Sequence, residues 1–116
     1  MRGARTPQRA ARPPLYGDLR RWGLIQADAL ALLTQLPAAS VDAVVTDPPY
    51  GLAFKHQHWD GGRLADGLGF QAFTHGWAEQ VARVLKPGGY LAAFGAPRTV
   101  HRLVAGIEDA GLEVRD

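Results

Sequence analysis

Apolar residues recur every three or four positions in two stretches of the chain, a spacing typical of amphipathic helices. The first stretch contains Phe70, Phe73, Trp77, Val81, Val84 and Leu85. The second contains Val100, Leu103, Val104 and Ile107, with Arg98 or Thr99 near its start and Gly111 placed to cap its end. A further helix is predicted from Ala29 to Leu36, a run of strong helix formers that Pro37 terminates.

Short apolar runs alternate with these helices and predict strands. The runs span residues 24–27, 41–46, 90–94 and 112–114, and the first two are expected to be buried. Lys86-Pro87-Gly88-Gly89 precedes the third run and suits a type II turn, with proline second and glycine third. Strands alternating with helices predict an α/β fold with a mainly parallel sheet and helices on its faces.

Polar residues follow the first two predicted strands directly. Asp28 follows the run 24–27, and Asp47-Pro48-Pro49-Tyr50 follows the run 41–46. We call residues 47–50 the DPPY segment. Ligands of parallel sheets bind beyond the carboxyl ends of the strands, so both positions are candidate binding sites.

The DPPY segment has a specific chemical capacity. Its two prolines keep the backbone extended and remove two N–H donors, which leaves the Asp47 carboxylate and the Pro48 carbonyl as acceptors. Tyr50 adds an aromatic plane beside them. Two acceptors and a stacking surface suit a planar ring with an exocyclic amino group. Hydrogen bonds of this kind draw the nitrogen lone pair out of ring conjugation and make the amine a better nucleophile toward an electrophilic methyl group.

Composition excludes several other classes of protein. The chain has 116 residues, is 47% apolar and 21% charged, and contains no cysteine. Disulfide scaffolds, thiolate zinc sites and cysteine nucleophiles are therefore excluded. No apolar run reaches the roughly 20 residues of a membrane helix and no signal-peptide core is present, so the expected location is cytoplasmic, away from membranes.

Positive charge is concentrated at the N-terminus. Residues 1–21 contain six arginines and one acid, whereas residues 22–116 have a net charge of −3. We interpret residues 1–21 as a basic, disordered arm and residues 22–116 as the folded part. Such an arm is either a solvated leader or a nonspecific contact for nucleic-acid phosphates.

The combination of motifs resembles one enzyme family. The stretches LIQADALALLTQLPAASVDAVVTDPPYGL, Trp59-Asp60, WAEQVARVLKPGGYLAAFGAPR and IEDAGLEVRD carry the resemblance over nearly all of the chain after residue 22. Together they resemble the S-adenosylmethionine-dependent amino-group DNA methyltransferases, which act on adenine N6 or cytosine N4. The likeness is greatest to the permuted group with DPPY near the N-terminus, and it implies part of a Rossmann-like methyltransferase sheet.

The resemblance implies roles for individual residues. Asp47 to Tyr50, including Pro49, would bind the flipped target base: Asp47 and the Pro48 carbonyl would accept its amino hydrogens, and Tyr50 would stack on the ring. Asp28 and Ala29 would face the adenine of the cofactor. Aspartate at the first position of the motif favours adenine over cytosine as the target. The expected partner is DNA.

Two features of the family are absent from the sequence. The FxGxG segment for the methionine part of the cofactor and the target-recognition region would both follow Asp116. We therefore interpret the chain as an incomplete N-terminal part of a methyltransferase, with little activity alone unless a second chain supplies the rest. The alternatives are a catalytically silent remnant or binding module, and methylation of cytosine N4.

Histidines in the loop 51–69 raise the question of a metal. His56 and His58 would need a third ligand, such as Asp60 or His75. Methyl transfer to an amine requires no metal, so we interpret them as loop residues. Trp59 either covers the target base or anchors the loop, and Arg98 contacts either a phosphate or an acid.

Overall fold

The computed structural model describes residues 15–16, 22–51 and 67–116, which form a small mixed α/β arrangement. The elements in chain order are β1 (Leu15–Tyr16), β2 (Leu24–Ile25), α1 (Ala29–Gln35), β3 (Val41–Thr46), α2 (Gly67–Val84), β4 (Leu85–Ala93) and α3 (Val100–Asp109). β3 and β4 pair in parallel, and α2 connects them. β1 and β2 pair antiparallel in a separate sheet.

α2 supplies most of the core, as its apolar spacing predicts. Phe70, Trp77, Ala78 and Val81 are buried along one side of the helix, with Leu85 and Leu103 completing the cluster. Val44 and Leu91, one from each strand of the parallel sheet, pack against this cluster. Full burial of an aromatic or branched side chain stabilises a fold by about 1.5–3 kcal/mol, so this stripe anchors α2 on the sheet.

The predicted turn at residues 86–89 lies inside β4. Leu85 pairs with Val41 and Tyr90 pairs with Ala43, so four residues of β4 stand opposite one residue of β3. Gly88 has φ +83°, which fits the third position of a type II turn. The Lys86 ammonium donates to the Asp42 carboxylate at 3.0 Å across this bulge. Strand β4 therefore begins before the turn, five residues earlier than predicted.

α3 packs closely on α2. A Cβ atom at Gly106 would lie 2.8 Å from the Gln71 carbonyl oxygen and 2.8 Å from the Thr74 Cβ, so only glycine permits this approach. The helix ends as predicted: Gly111 has φ +97°, and its N–H donates to the Glu108 carbonyl at 2.9 Å.

The prediction of a buried strand at residues 24–27 is wrong. Only Leu24–Ile25 forms a strand, and the Leu24 side chain is 61% exposed. The partner of this strand is β1, which belongs to the predicted basic arm. A two-residue strand whose only neighbour in the described residues is equally short is too small to form a buried sheet face.

Two further strand predictions need correction. Residues 41–46 form β3, but its Val45 is 73% exposed and lies on the same sheet face as exposed Tyr90, so the strand is not buried on both sides. α2 packs on the opposite face of the sheet, the face that carries Val44 and Leu91. Residues 112–114 form no strand, and together with residues of β4 and α3 they line an open cavity of about 530 Å³.

α2 begins at Gly67, inside the stretch 51–69 that the sequence predicts to be a loop, and ends at Val84. The loop residues 52–66 and the arm outside residues 15–16 lie beyond the described part of the chain. None of the described helices combines the length and the apolar character needed to cross a bilayer.

Candidate functional site

The DPPY segment leaves the parallel sheet at the carboxyl end of β3, as predicted. The Phe94 N–H donates to the Thr46 carbonyl at 3.0 Å, which continues the pairing between the strands to this point. Pro48 and Pro49 have no N–H group and cannot extend the ladder. The segment therefore lies at the edge where ligands of parallel α/β sheets bind.

Asp47 and Tyr50 are in direct contact. The Tyr50 hydroxyl donates to Asp47 Oδ1 at 2.5 Å, across the two intervening prolines. Asp47 is exposed and Tyr50 is half-buried. This hydrogen bond brings the phenol ring alongside the carboxylate, so the charged acceptor and the aromatic surface form one site.

Two acceptors of the site remain available. Within the described part of the chain, neither Asp47 Oδ2 nor the Pro48 carbonyl oxygen accepts a hydrogen bond. An exocyclic amino group has two hydrogens to donate, and these oxygens match that number. The geometry is therefore compatible with a planar amino-bearing ring next to Tyr50.

Thr99 joins the site from α3. Its hydroxyl donates to the Tyr50 carbonyl at 2.6 Å, although the two residues are 49 positions apart. From the sequence, Thr99 is predicted only to lie near the start of this helix. The sequence does indicate that Thr99 lies near Tyr50, because the residues that follow two parallel strands emerge at the same edge of the sheet, and β3 and β4 are parallel.

The second candidate site, Asp28 and Ala29, lies at the start of α1. Asp28 is the N-cap: its Oδ2 accepts from the Ala31 N–H at 3.0 Å. Both residues are exposed, and β2 before them belongs to the separate antiparallel sheet. No hydrogen bond joins Asp28 to the DPPY segment in the described residues.

The other candidate residues from the sequence are the possible metal ligands, Trp59 and Arg98. His56, His58, Trp59 and Asp60 lie outside the described residues. His75 lies on α2 with its Nε2 3.8 Å from Glu79 Oε1. Arg98 is exposed after the end of β4. Over residues 22–51 and 67–116, no three potential metal ligands cluster.

Comparison with known proteins places the chain in an enzyme family. Residues 41–116 match the family of N6/N4 methyltransferases described as DNA methylase. The chain therefore belongs to the family of DNA methyltransferases that modify amino groups.

Two named relatives are Type II methyltransferases. M.BamHI of Bacillus amyloliquefaciens is 33% identical over 90 residues, which are 75% of this chain and 20% of the relative. M.HpaI of Haemophilus parainfluenzae is 39% identical over 74 residues, which are 61% of this chain and 22% of the relative. The chain thus spans about a fifth of the length of these relatives.

Proposed function

We propose that the chain carries the target-base site of a site-specific DNA methyltransferase that uses S-adenosylmethionine and methylates adenine at N6. The observation that carries this proposal is the DPPY segment at the carboxyl end of β3, with Tyr50 bonded to Asp47. Membership of the N6/N4 family supports the reaction class. The names of the two relatives support a role in restriction-modification.

In the proposed reaction, the chain binds a base that has left the duplex, because an amino group inside the helix is out of reach. Asp47 and the Pro48 carbonyl accept its two amino hydrogens, and Tyr50 stacks on the ring. These contacts orient the nitrogen lone pair away from the ring plane. The acceptors also stabilise the positive charge that develops on nitrogen during transfer, because they are already in place.

Asp28 and Ala29 fit the adenine part of the cofactor. Asp28 Oδ1 accepts no hydrogen bond in the described residues, and Ala29 is the first residue of α1, whose N–H has no partner within the helix. One acceptor and one adjacent donor match the amino group and ring nitrogen of an adenine. S-adenosylmethionine would supply the electrophilic methyl group. In this proposal, β3 and β4 are strands of a Rossmann-like methyltransferase sheet, and α2 and α3 are two of the helices of that fold.

Recognition of the amino group can be tested by binding alone. We propose three short duplexes that carry adenine, purine or cytosine opposite an abasic site, where flipping is cheapest. Purine lacks the amino group of adenine. A hydrogen bond to a charged group contributes about 1.5–3 kcal/mol, so we expect adenine to bind about tenfold or more tightly than purine. Tighter binding of cytosine than of adenine would instead indicate the N4 reaction.

Asp47→Ala should lose most of the preference for adenine over purine, because only the Pro48 carbonyl remains to accept an amino hydrogen. Asp42→Ala is the matched control, because Asp42 is an aspartate on β3 whose carboxylate binds Lys86 rather than the DPPY segment. The control should keep the wild-type preference. Equal binding of adenine and purine by the wild-type chain would overturn the proposal. Mass spectrometry of the methylated base identifies the product when methyl transfer is measured.

A further inference from the structure

Thr99 has an unusual set of hydrogen bonds for the residue before a helix. It is the N-cap of α3, yet its side chain makes no capping hydrogen bond. A threonine at this position ordinarily accepts from an N–H of the first helical turn. Here the hydroxyl donates to the Tyr50 carbonyl at 2.6 Å. The hydroxyl is therefore directed to the DPPY segment and not to its own helix.

The backbone of Thr99 is held firmly. Its N–H donates to the Ala96 carbonyl at 3.1 Å, and its carbonyl accepts from Arg102 at 3.0 Å and Leu103 at 3.2 Å. Leu103 is buried in the core, and Gly106 one turn further packs against α2. Thr99 thus presents its hydroxyl from a helix that is fixed to the core.

The DPPY segment is pinned at both ends. Phe94 holds the Thr46 carbonyl before it, and Thr99 holds the Tyr50 carbonyl at its last residue. Pro48 and Pro49 have φ fixed by their rings, so the segment between the two anchors has little rotational freedom. Loss of the Thr99 hydroxyl would remove the hydrogen bond that joins the Tyr50 carbonyl to the start of α3.

We propose that Thr99 is a positioning residue for the target-base site: its hydroxyl fixes the Tyr50 carbonyl and thereby sets the ring and the Asp47 carboxylate for an amino-bearing base. This inference rests on the proposed function. It adds to that function a residue that acts through Tyr50 and not by contact with the base. The contact also couples the site to α3, since a shift of this helix would move Tyr50.

The test uses the full chain and two measurements. Triple-resonance NMR reads the Tyr50 carbonyl carbon through the Gly51 amide, and the adenine and purine duplexes measure amino-group recognition. Thr99→Val and Thr99→Ala remove the hydroxyl, while Thr99→Ser retains it. Thr34→Val is the matched control, because the Thr34 hydroxyl also donates to a backbone carbonyl, that of Ala31 at 2.7 Å on α1.

We expect Thr99→Val and Thr99→Ala to shift the Tyr50 carbonyl signal and to reduce the preference for adenine over purine severalfold. Thr99→Ser should restore both, and Thr34→Val should change neither. An unshifted carbonyl in both hydroxyl-free variants, or a shifted carbonyl with an unchanged preference, overturns the positioning role alone. A wild-type chain without any preference for adenine overturns the proposed function as well.

Discussion

Tyr50 contributes two groups with opposite expected effects on base binding. Its ring offers the stacking surface, whereas its hydroxyl occupies Asp47 Oδ1, an acceptor that an incoming amino group can use. Tyr50→Ala should weaken binding of the adenine duplex by about 1–3 kcal/mol, the usual loss of a stacking partner. Tyr50→Phe keeps the ring and frees the carboxylate, so we expect binding at least as tight as wild type.

Fluorescence titration of the adenine duplex measures both variants. Tyr90→Ala is the control, because Tyr90 is 69% exposed on the sheet face that α2 does not cover. It should bind like the wild type. If Tyr50→Phe were as weak as Tyr50→Ala, the hydroxyl and not the ring would be the important group.

Asp28 has two separable roles, because it caps α1 and is the proposed acceptor for the adenine of the cofactor. Asp28→Ala removes both, and loss of the cap should lower the free energy of unfolding by about 0.5–2 kcal/mol. Asp28→Ser retains a good cap but has no carboxylate. We expect near-wild-type urea unfolding for Asp28→Ser with weakened S-adenosylmethionine binding by calorimetry. If Asp28→Ser bound S-adenosylmethionine as tightly as the wild type, Asp28 would act only as the helix cap and not in cofactor binding.

At the scale of elements, the contact between α2 and α3 depends on a glycine. Gly106→Ala would place a Cβ 2.8 Å from the Gln71 carbonyl oxygen, and a backbone atom cannot move aside cheaply. Overpacking of this kind costs about 1–3 kcal/mol, so we expect a lower free energy of unfolding.

Gly76→Ala on α2 is the matched control for Gly106→Ala. A Cβ at Gly76 meets no atom within 4 Å, so alanine should stabilise the helix by about 0.5–1 kcal/mol through its higher propensity. Urea unfolding followed by circular dichroism should therefore give changes of opposite sign. Changes of the same sign would contradict the close approach of the two helices.

The helices could be predicted better than the strands. The apolar stripe around Phe70 and Trp77, the helix terminator Pro37 and the capping residue Gly111 are local signals, and these helices form as expected. A strand is stabilised by neighbours that can be distant in sequence. Among the described residues, the apolar run at 24–27 pairs only with the two-residue β1, and the run at 112–114 pairs with no strand. The first is therefore short and exposed, and the second is irregular.

For the molecule as a whole, the place of the DPPY segment was predictable because alternating strands and helices fix the edge at which ligands bind. The same reasoning predicts that Thr99 lies near this edge, but not its hydrogen bond to Tyr50, because that bond depends on how α3 turns after β4. The capping role of Asp28 was also not predicted, although an aspartate directly before a helix is a common N-cap.

The distribution of charge over the whole chain leads to the last prediction. Residues 1–21 contain six arginines, and residues 22–116 have a net charge of −3, so nonspecific attraction to DNA should come mainly from the N-terminal stretch. Deletion of the stretch would also remove β1, which pairs with β2. The cleaner change replaces four arginines outside β1 by glutamine: Arg2, Arg5, Arg9 and Arg12.

If these four side chains contact phosphates, log K of the wild-type chain for nonspecific DNA should fall with log salt at a slope near −3.6, from about −0.9 per contact. The four-glutamine variant should lose most of this slope and most of its affinity at low salt. Arg115→Gln is the control, since Arg115 is an exposed arginine paired with Glu113 at the other end of the chain. Equal affinity and slope in the variant and the wild type would show that these arginines do not bind DNA.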